Sequence, residues 1–213
     1  MRSEDFMIYL AIVVTFISAA SLGFSYYSIS SFESVTGFVV TNTSIATVNI
    51  TVSPSVVINF TVNNINWGSG SLSAGTTQAQ LESNGTGLNA VINGTWSQPN
   101  NPYLVLQNIG TENVTLQLMA SKNATQFING TSPGYQYSVI NNGAGSCSAA
   151  NGFPLGQWYD VNTTYPGNGV CNVSGFGFAT NLNMVNISIR LVIPVNSLNG
   201  SLGDTITATA TGA

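Results

Sequence analysis

The sequence predicts a mainly β protein, with an N-terminal hydrophobic α-helix over residues 1–33 and an antiparallel β-sandwich over residues 34–213, of the immunoglobulin-like or jelly-roll-like kind. An uncharged apolar run covers residues 6–24. After residue 32 the hydrophobic pattern changes from a helical period to a period of two, and turns rich in Gly, Asn and Pro separate the alternating segments. About 180 residues are ample for one sandwich core, so a single β domain is expected.

The N-terminal run, FMIYLAIVVTFISAASLGF, has a length that matches the apolar interior of a bilayer. As a helix it would extend over about 28 Å. Three interpretations remain open: a cleaved signal peptide with its cleavage site at residues 18–20, a single-pass membrane anchor, and a helix that packs against copies of itself. The net negative charge of residues 1–5 argues against a signal peptide, whose first residues are typically positive.

Small residues recur along this helix at a spacing of four, at Ala11, Thr15, Ala19 and Gly23. Residues four apart lie on one side of a helix, so they form a narrow stripe of small side chains. Such stripes allow helix backbones to approach closely where the hydrophobic effect cannot drive association. The pattern predicts helix-to-helix packing through these four residues.

The remainder predicts strands with alternating apolar and polar positions. The expected strands cover residues 45–52, 56–62, 103–107, 113–120, 136–140, 184–193 and 205–211. The turn at residues 108–111 predicts a hairpin between the strands on either side of it. Trp67 is expected to cover one end of the sandwich, with stacking on a glycan as the alternative.

The charge content excludes several classes of function. Only 5% of residues are charged, the three cations are Arg2, Lys122 and Arg190, and histidine is absent. Three scattered cations cannot neutralise a nucleic-acid backbone, and without histidine the common acid–base triads and His-ligated metals are excluded. We therefore expect no enzyme activity, nucleic-acid partner, small-molecule substrate, metal or cofactor.

Two cysteines, Cys147 and Cys171, stand without a Cys-x-x-Cys redox spacing. The interpretation that follows is a structural disulfide between them, as is typical of an extracellular or cell-surface protein. Two free buried thiols are the alternative.

N-glycosylation sequons are about twice as frequent as the six or so that the Asn, Ser and Thr content gives by chance. Heavy N-glycosylation would supply the hydrated surface that charges supply elsewhere, so N-linked glycans are expected. The twelve sequons begin at Asn42, Asn49, Asn59, Asn84, Asn93, Asn113, Asn123, Asn129, Asn162, Asn172, Asn186 and Asn199.

Three segments carry a resemblance: TGFVVTNTSIATVNITV (36–52), LVLQNIGTENVTLQLMASKNAT (104–125) and IRLVIPVNSLNGSLGDTITATATGA (189–213). They resemble archaeal cell-surface proteins with immunoglobulin-like sandwiches. The whole layout, an uncharged helix that leads into a glycosylated sandwich, resembles archaeal type IV pilins and archaellins. No basic leader ending in Gly or Ala precedes the helix in this numbering, which departs from that family.

The resemblance implies a structural subunit of an extracellular filament, with helices in the core and sandwiches outside. Its partner would be itself, as a homopolymer, and the helix would contact the membrane at least before assembly. The alternatives are a membrane-anchored envelope protein or adhesin, a secreted binding module, and a filament in which residues 34–43 or 205–211 complete a neighbour's sheet.

An intact-mass measurement of the secreted protein tests the compartment and the N-terminal segment together. We expect a mass above that of the bare chain by several whole glycans, since sequons are frequent and charges are few. A mature N-terminus near Ser21 would identify the apolar run as a cleaved signal peptide. A mass equal to the bare chain would contradict glycosylation.

Overall fold

The computed structural model describes Met7 and residues 10–22, 50–51, 53–85, 90–143 and 145–212. The chain divides into two compact units, Met1–Thr51 and Val52–Ala213, and we call the second unit the β domain.

Several predicted features lie outside the described residues: the boundary at residues 33 and 34, Gly23, Asn42 and Asn49, and the donated segment at residues 34–43. Most of the strand expected at residues 45–52 also lies outside the described residues. Of that stretch, Ile50 and Thr51 are described, and neither is in a strand.

In the first unit, an α-helix, α1, covers residues 10–22, and Met7 is also helical. This confirms a helix within the predicted apolar segment. Among the helices of the described residues, none has both the length and the apolar character needed to cross a membrane.

The described part of the β domain is mainly β, and its elements alternate with short turns. Six strands confirm predicted ones to within a few residues, whereas β2, β3, β7, β8 and β9 were not expected. The strands are β1 Ile58–Val62, β2 Gln78–Glu82, β3 Val91–Ile92, β4 Leu104–Asn108, β5 Val114–Ala120, β6 Gly134–Asn141, β7 Cys147–Ala149, β8 Tyr159–Asp160, β9 Asn168–Phe176, β10 Met184–Pro194 and β11 Ile206–Gly212, and one helical turn, α2, covers Ala124–Phe127.

The described strands form two antiparallel sheets that share one hydrophobic core. The larger sheet contains β1, β2, β3, β4, β6, β8 and β10, and the smaller has the order β11-β5-β9-β7. Leu106 and Ile187 of the larger sheet and Leu116 and Phe176 of the smaller belong to the same core cluster. β11, one of the two segments considered for donation to a neighbour, pairs along its length with β5 of its own chain.

The longest strand, β10, organises the larger sheet. Val185, Ile187 and Leu191 lie in the core as predicted, but the alternation is broken at Ser188, which was expected to face outward and is fully buried. On one side β10 pairs with β6 over eight residues. On the other side it pairs first with β4, over residues 184–187, and then with β2, over residues 190–194.

Ser83 fills the junction where β10 changes from one partner to the other. Its N–H donates to the Ile189 carbonyl at 2.9 Å. Its hydroxyl accepts the Ile189 N–H at 2.9 Å and donates to the Pro102 carbonyl at 2.7 Å. Since Ser83 is only 2% exposed, water cannot replace these bonds, and one hydroxyl keeps two backbone groups paired.

The turn at residues 108–111 does not form the predicted hairpin, because the strands on either side belong to different sheets. β4 pairs with β1 and β10, whereas β5 pairs with β11 and β9. The inward residues of both strands then face each other across the core instead of lying side by side. Asn108 is fully buried where the chain passes from one sheet to the other. Its side-chain N–H groups donate to the carbonyls of Glu112 and Phe176, and its Oδ1 accepts the Gly110 N–H.

The predicted disulfide is confirmed. Cys147 in β7 and Cys171 in β9 are bonded, with their Cα atoms 5.5 Å apart. Both are buried, and 24 residues separate them in sequence. Closing a loop of this length stabilises the fold by about 3–4 kcal/mol in the chain-entropy model.

Ser83→Ala tests the junction. We expect the free energy of unfolding in urea to fall by about 1–3 kcal/mol, because two buried backbone groups lose their partner. The control is Ser97→Ala at an exposed position, for which a change within about 0.5 kcal/mol is expected. Equal effects of the two substitutions would show that the Ser83 hydroxyl does not hold the junction.

Candidate functional site

None of the ten sequon asparagines that the structure describes is buried in the core. Occupancy by glycans stays a prediction, and at Asn84 and Asn186 the amide oxygen is buried. Seven are exposed, namely Asn59, Asn93, Asn113, Asn123, Asn129, Asn172 and Asn199, and three are half-buried, namely Asn84, Asn162 and Asn186.

Four of these asparagines also have local structural roles that the sequence analysis did not assign. Asn123 begins α2, where its Oδ1 accepts the Gln126 N–H. Asn162 Oδ1 accepts the Thr164 N–H, and Asn93 and Asn129 adopt positive φ angles in turns. The bonds at Asn123 and Asn162 use the oxygen, whereas a glycan attaches to the nitrogen, so both roles are compatible.

The prediction that strand sequons point outward holds best for β1, where Asn59 and Thr61 are both exposed. On β10 it holds only in part. Asn186 is half-buried, and Ser188, which faces the same side of the sheet, is fully buried. The sequon at Asn186 is therefore the least accessible of those described.

On α1, Ala11, Thr15 and Ala19 are exposed at the predicted spacing of four. The Thr15 hydroxyl donates to the Ala11 carbonyl at 2.6 Å, and the Ser18 hydroxyl donates to the Val14 carbonyl at 2.8 Å. Because these hydroxyls bond within the helix, they can enter an apolar contact without needing a partner there.

A cavity of about 1010 Å³ lies in the β domain. The loops over residues 63–72 and 197–206 form its walls. Apolar side chains of the core cluster form its floor: Leu81, Leu104, Ile189, Leu191 and Ile193. The cavity has the size that ligand sites have, and the side chains of its floor are at most 9% exposed.

Aromatic rings line the cavity together with its apolar floor. Trp67 and Trp96 are both half-buried and pack against the core cluster. Trp96 fits beside Gly70 and Gly94, because a Cβ atom at either glycine would overlap its indole ring. The glycines therefore fix the position of this ring in the wall.

Polar groups are also present in this cavity. Trp67 Nε1 is buried and has no hydrogen-bond partner among the described residues. Asp204 Oδ1 accepts the Ser121 hydroxyl. Burial raises the pKa of Tyr135, whose ring also lines the cavity, and the negative charge of Asp204 and its hydrogen bond with Tyr135 raise that pKa further. Asp204 thus has partners within the protein, whereas the Trp67 N–H has none among the described residues.

A row of polar side chains crosses the other face of the larger sheet. Arg190 on β10 forms an ion pair with Glu82 on β2 at 2.8 Å, and its guanidinium lies 4.1 Å from the ring centre of Trp158. Gln136 on β6 continues the row, since it accepts from Arg190 at 3.4 Å and donates to Asp160 on β8 at 3.0 Å. The row joins four strands, and every charge in it has a partner, so its role is structural.

Of the residues that line the cavity, Trp67 carried a signal in the sequence, as a tryptophan between turn residues. Asp204 and Tyr135 gave none, because 69 positions separate them in the sequence and only the tertiary fold brings them together.

No group of three or more His, Cys, Asp or Glu side chains that could hold a metal ion occurs in the described residues. Comparison with protein families, with curated proteins and with solved structures finds no match to this chain.

Two buried tyrosines predict a loss of stability at alkaline pH. Burial raises the pKa of Tyr135 and of Tyr137 above the ordinary value of 10.0, and Asn168 offsets part of the rise at Tyr137. The unfolded chain releases these protons above pH 10, whereas the folded protein retains them. Their contribution to the free energy of unfolding is therefore complete below about pH 10 and is lost as the pH rises above that value.

Tyr137→Phe should reduce the alkaline loss of unfolding free energy by about 1.4 kcal/mol for each pH unit above 10. Urea unfolding at about pH 8 and at about pH 11 measures the difference. Tyr165→Phe, at a side chain that is 73% exposed, is the control and should leave the pH dependence unchanged. If Tyr137→Phe and the unsubstituted protein lose the same stability at alkaline pH, Tyr137 does not contribute to that loss.

Proposed function

We propose that the protein is a non-enzymatic structural subunit of an extracellular surface filament, similar in plan to archaeal pili and archaella. The N-terminal helices would pack together in the filament core. The β domain, as an immunoglobulin-like or jelly-roll-like sandwich, would lie outside and carry N-linked glycans.

One observation carries the proposal: α1 exposes its large apolar side chains. The exposed fractions are Met7 64%, Leu10 49%, Ile12 50%, Val13 50%, Val14 55%, Phe16 76%, Ile17 63% and Leu22 72%. Each large side chain that is withdrawn from water contributes about 1.5–3 kcal/mol, so the helix gains strongly from an apolar partner.

The small-residue stripe supports like helices as that partner. Ala11, Thr15 and Ala19 leave room for a second backbone, and the Thr15 hydroxyl already has its acceptor within the helix. Bulky residues such as Phe16 occupy other positions of the helix. Close contact at the stripe and apolar burial around it are the features of packed helices.

The surface of the β domain supports an exterior position. Seven of the ten described sequon asparagines are exposed, and charged residues are few. Glycans would keep such a domain hydrated where several copies surround one core.

Ala19→Leu tests the helix contact, with Ala20→Leu as the matched control. Successive helical residues point about 100° apart, so Ala20 lies off the stripe although both are exposed alanines of α1. A leucine at a close backbone contact costs about 1–3 kcal/mol. The critical concentration of the full chain should rise about ten-fold for each 1.4 kcal/mol, as measured by sedimentation and electron microscopy.

Ala20→Leu should leave the critical concentration almost unchanged. Equal weakening by both substitutions would contradict packing through the stripe. Monomers that need detergent and never form filaments would contradict the proposal and favour a membrane anchor.

A further inference from the structure

The cavity of the β domain has room for a ligand. Its volume of about 1010 Å³ is in the range of small-molecule sites, and it is open to solvent. On the loop at its rim, Leu198 and Leu202 are 45% and 36% exposed, which adds apolar surface that lacks cover.

The lining specifies what kind of molecule fits. Trp67 and Trp96 present aromatic surface, while Asn63, Asn64 and Asn66 present amides at the wall. Trp67 Nε1 is a buried donor without a described partner. A sugar meets all of these requirements, because its C–H faces pack on aromatic rings and its hydroxyl groups both donate and accept hydrogen bonds.

A purely apolar occupant would leave the buried Trp67 N–H unpaired, at a cost of about 1–3 kcal/mol. A sugar hydroxyl can accept a hydrogen bond from this N–H.

A sequon asparagine stands at the mouth of the same cavity. Asn199 lines the cavity and is exposed, and the other described sequon asparagines are not part of its lining. Gly200, the next residue, has a φ of 105°, and a Cβ atom placed there would meet nothing within 4 Å. The loop is therefore uncrowded next to Asn199 in the chain.

We propose that Asn199 is glycosylated and that the first sugars of its own glycan occupy this cavity. Attachment joins Asn199 Nδ2 to C1 of the first sugar, with loss of an amide proton and of the phosphate group of a lipid-linked sugar donor. The covalent link holds the sugars beside the cavity at an effective concentration in the millimolar range, so weak contacts suffice. This inference rests on the glycosylated exterior in the proposed function and assigns one glycan to the interior.

The test compares glycan release from two sites of the folded full-length protein. The protein is made in a secretory host that attaches oligomannose glycans, and peptide-N-glycosidase releases them before and after denaturation. Release from Asn199 in the folded protein should be at least about ten-fold slower than release from Asn172, an exposed sequon outside the cavity, because it requires local opening. After denaturation the two rates should be equal.

Sequon variants supply a second measurement. Ser201→Ala removes the sequon and leaves Asn199 in place, whereas Ser201→Thr preserves it. We expect Ser201→Ala to increase the quenching of tryptophan fluorescence by acrylamide, since Trp67 and Trp96 lose their cover. Ser201→Thr and the distant Asn172→Gln should not change the quenching.

Three results separate the outcomes. Slow release at Asn199 together with increased quenching in Ser201→Ala supports the proposal. An unoccupied Asn199 beside other occupied sequons, or release as fast as at Asn172, overturns it and leaves the glycosylated filament intact. The absence of glycan at every sequon overturns both this inference and the glycosylated exterior.

Discussion

Folding removes backbone and side-chain polar groups from water, and each of them then needs a partner inside the protein. With 5% charged residues, this chain meets that need mainly with neutral side chains. The Ser83 hydroxyl pairs two backbone groups where β10 changes its partner strand, and Asn108 pairs three groups where the chain crosses between sheets. The β domain therefore depends on a few buried hydroxyl and amide groups at points where strand ladders cannot continue.

The few charges serve a different purpose. Arg190, Glu82 and Asp160 lie in one hydrogen-bonded row across the larger sheet, and Trp158 packs on the guanidinium. Being paired, these groups fix neighbouring strands more than they hydrate the surface. Hydration is then left to the exposed amides and hydroxyls of the loops and, in our proposal, to the sugars attached to them.

Our proposals assign partners to two surfaces of the described residues. The exposed apolar side chains of α1 would be covered by other helices, with close contact at the small-residue stripe. In the cavity, a sugar would pack on the aromatic rings of the wall and accept the unpaired indole N–H of Trp67. In this interpretation, assembly and glycosylation complete the structure as well as placing it at the cell surface.

The sequence by itself determined the helix, six of the strands, the side of β10 that enters the core and the disulfide partners, because alternation and spacing are local properties. It missed β2 and β9, whose glycines, asparagines and glutamines give a weak strand pattern, and it assigned residues 108–111 to a hairpin. Only the tertiary structure decided that β4 and β5 lie in different sheets and that Trp67, Tyr135 and Asp204 line one cavity. The physical reason is that such arrangements depend on contacts like Ser83 to Ile189, which joins residues 106 positions apart and leaves no trace in any local pattern.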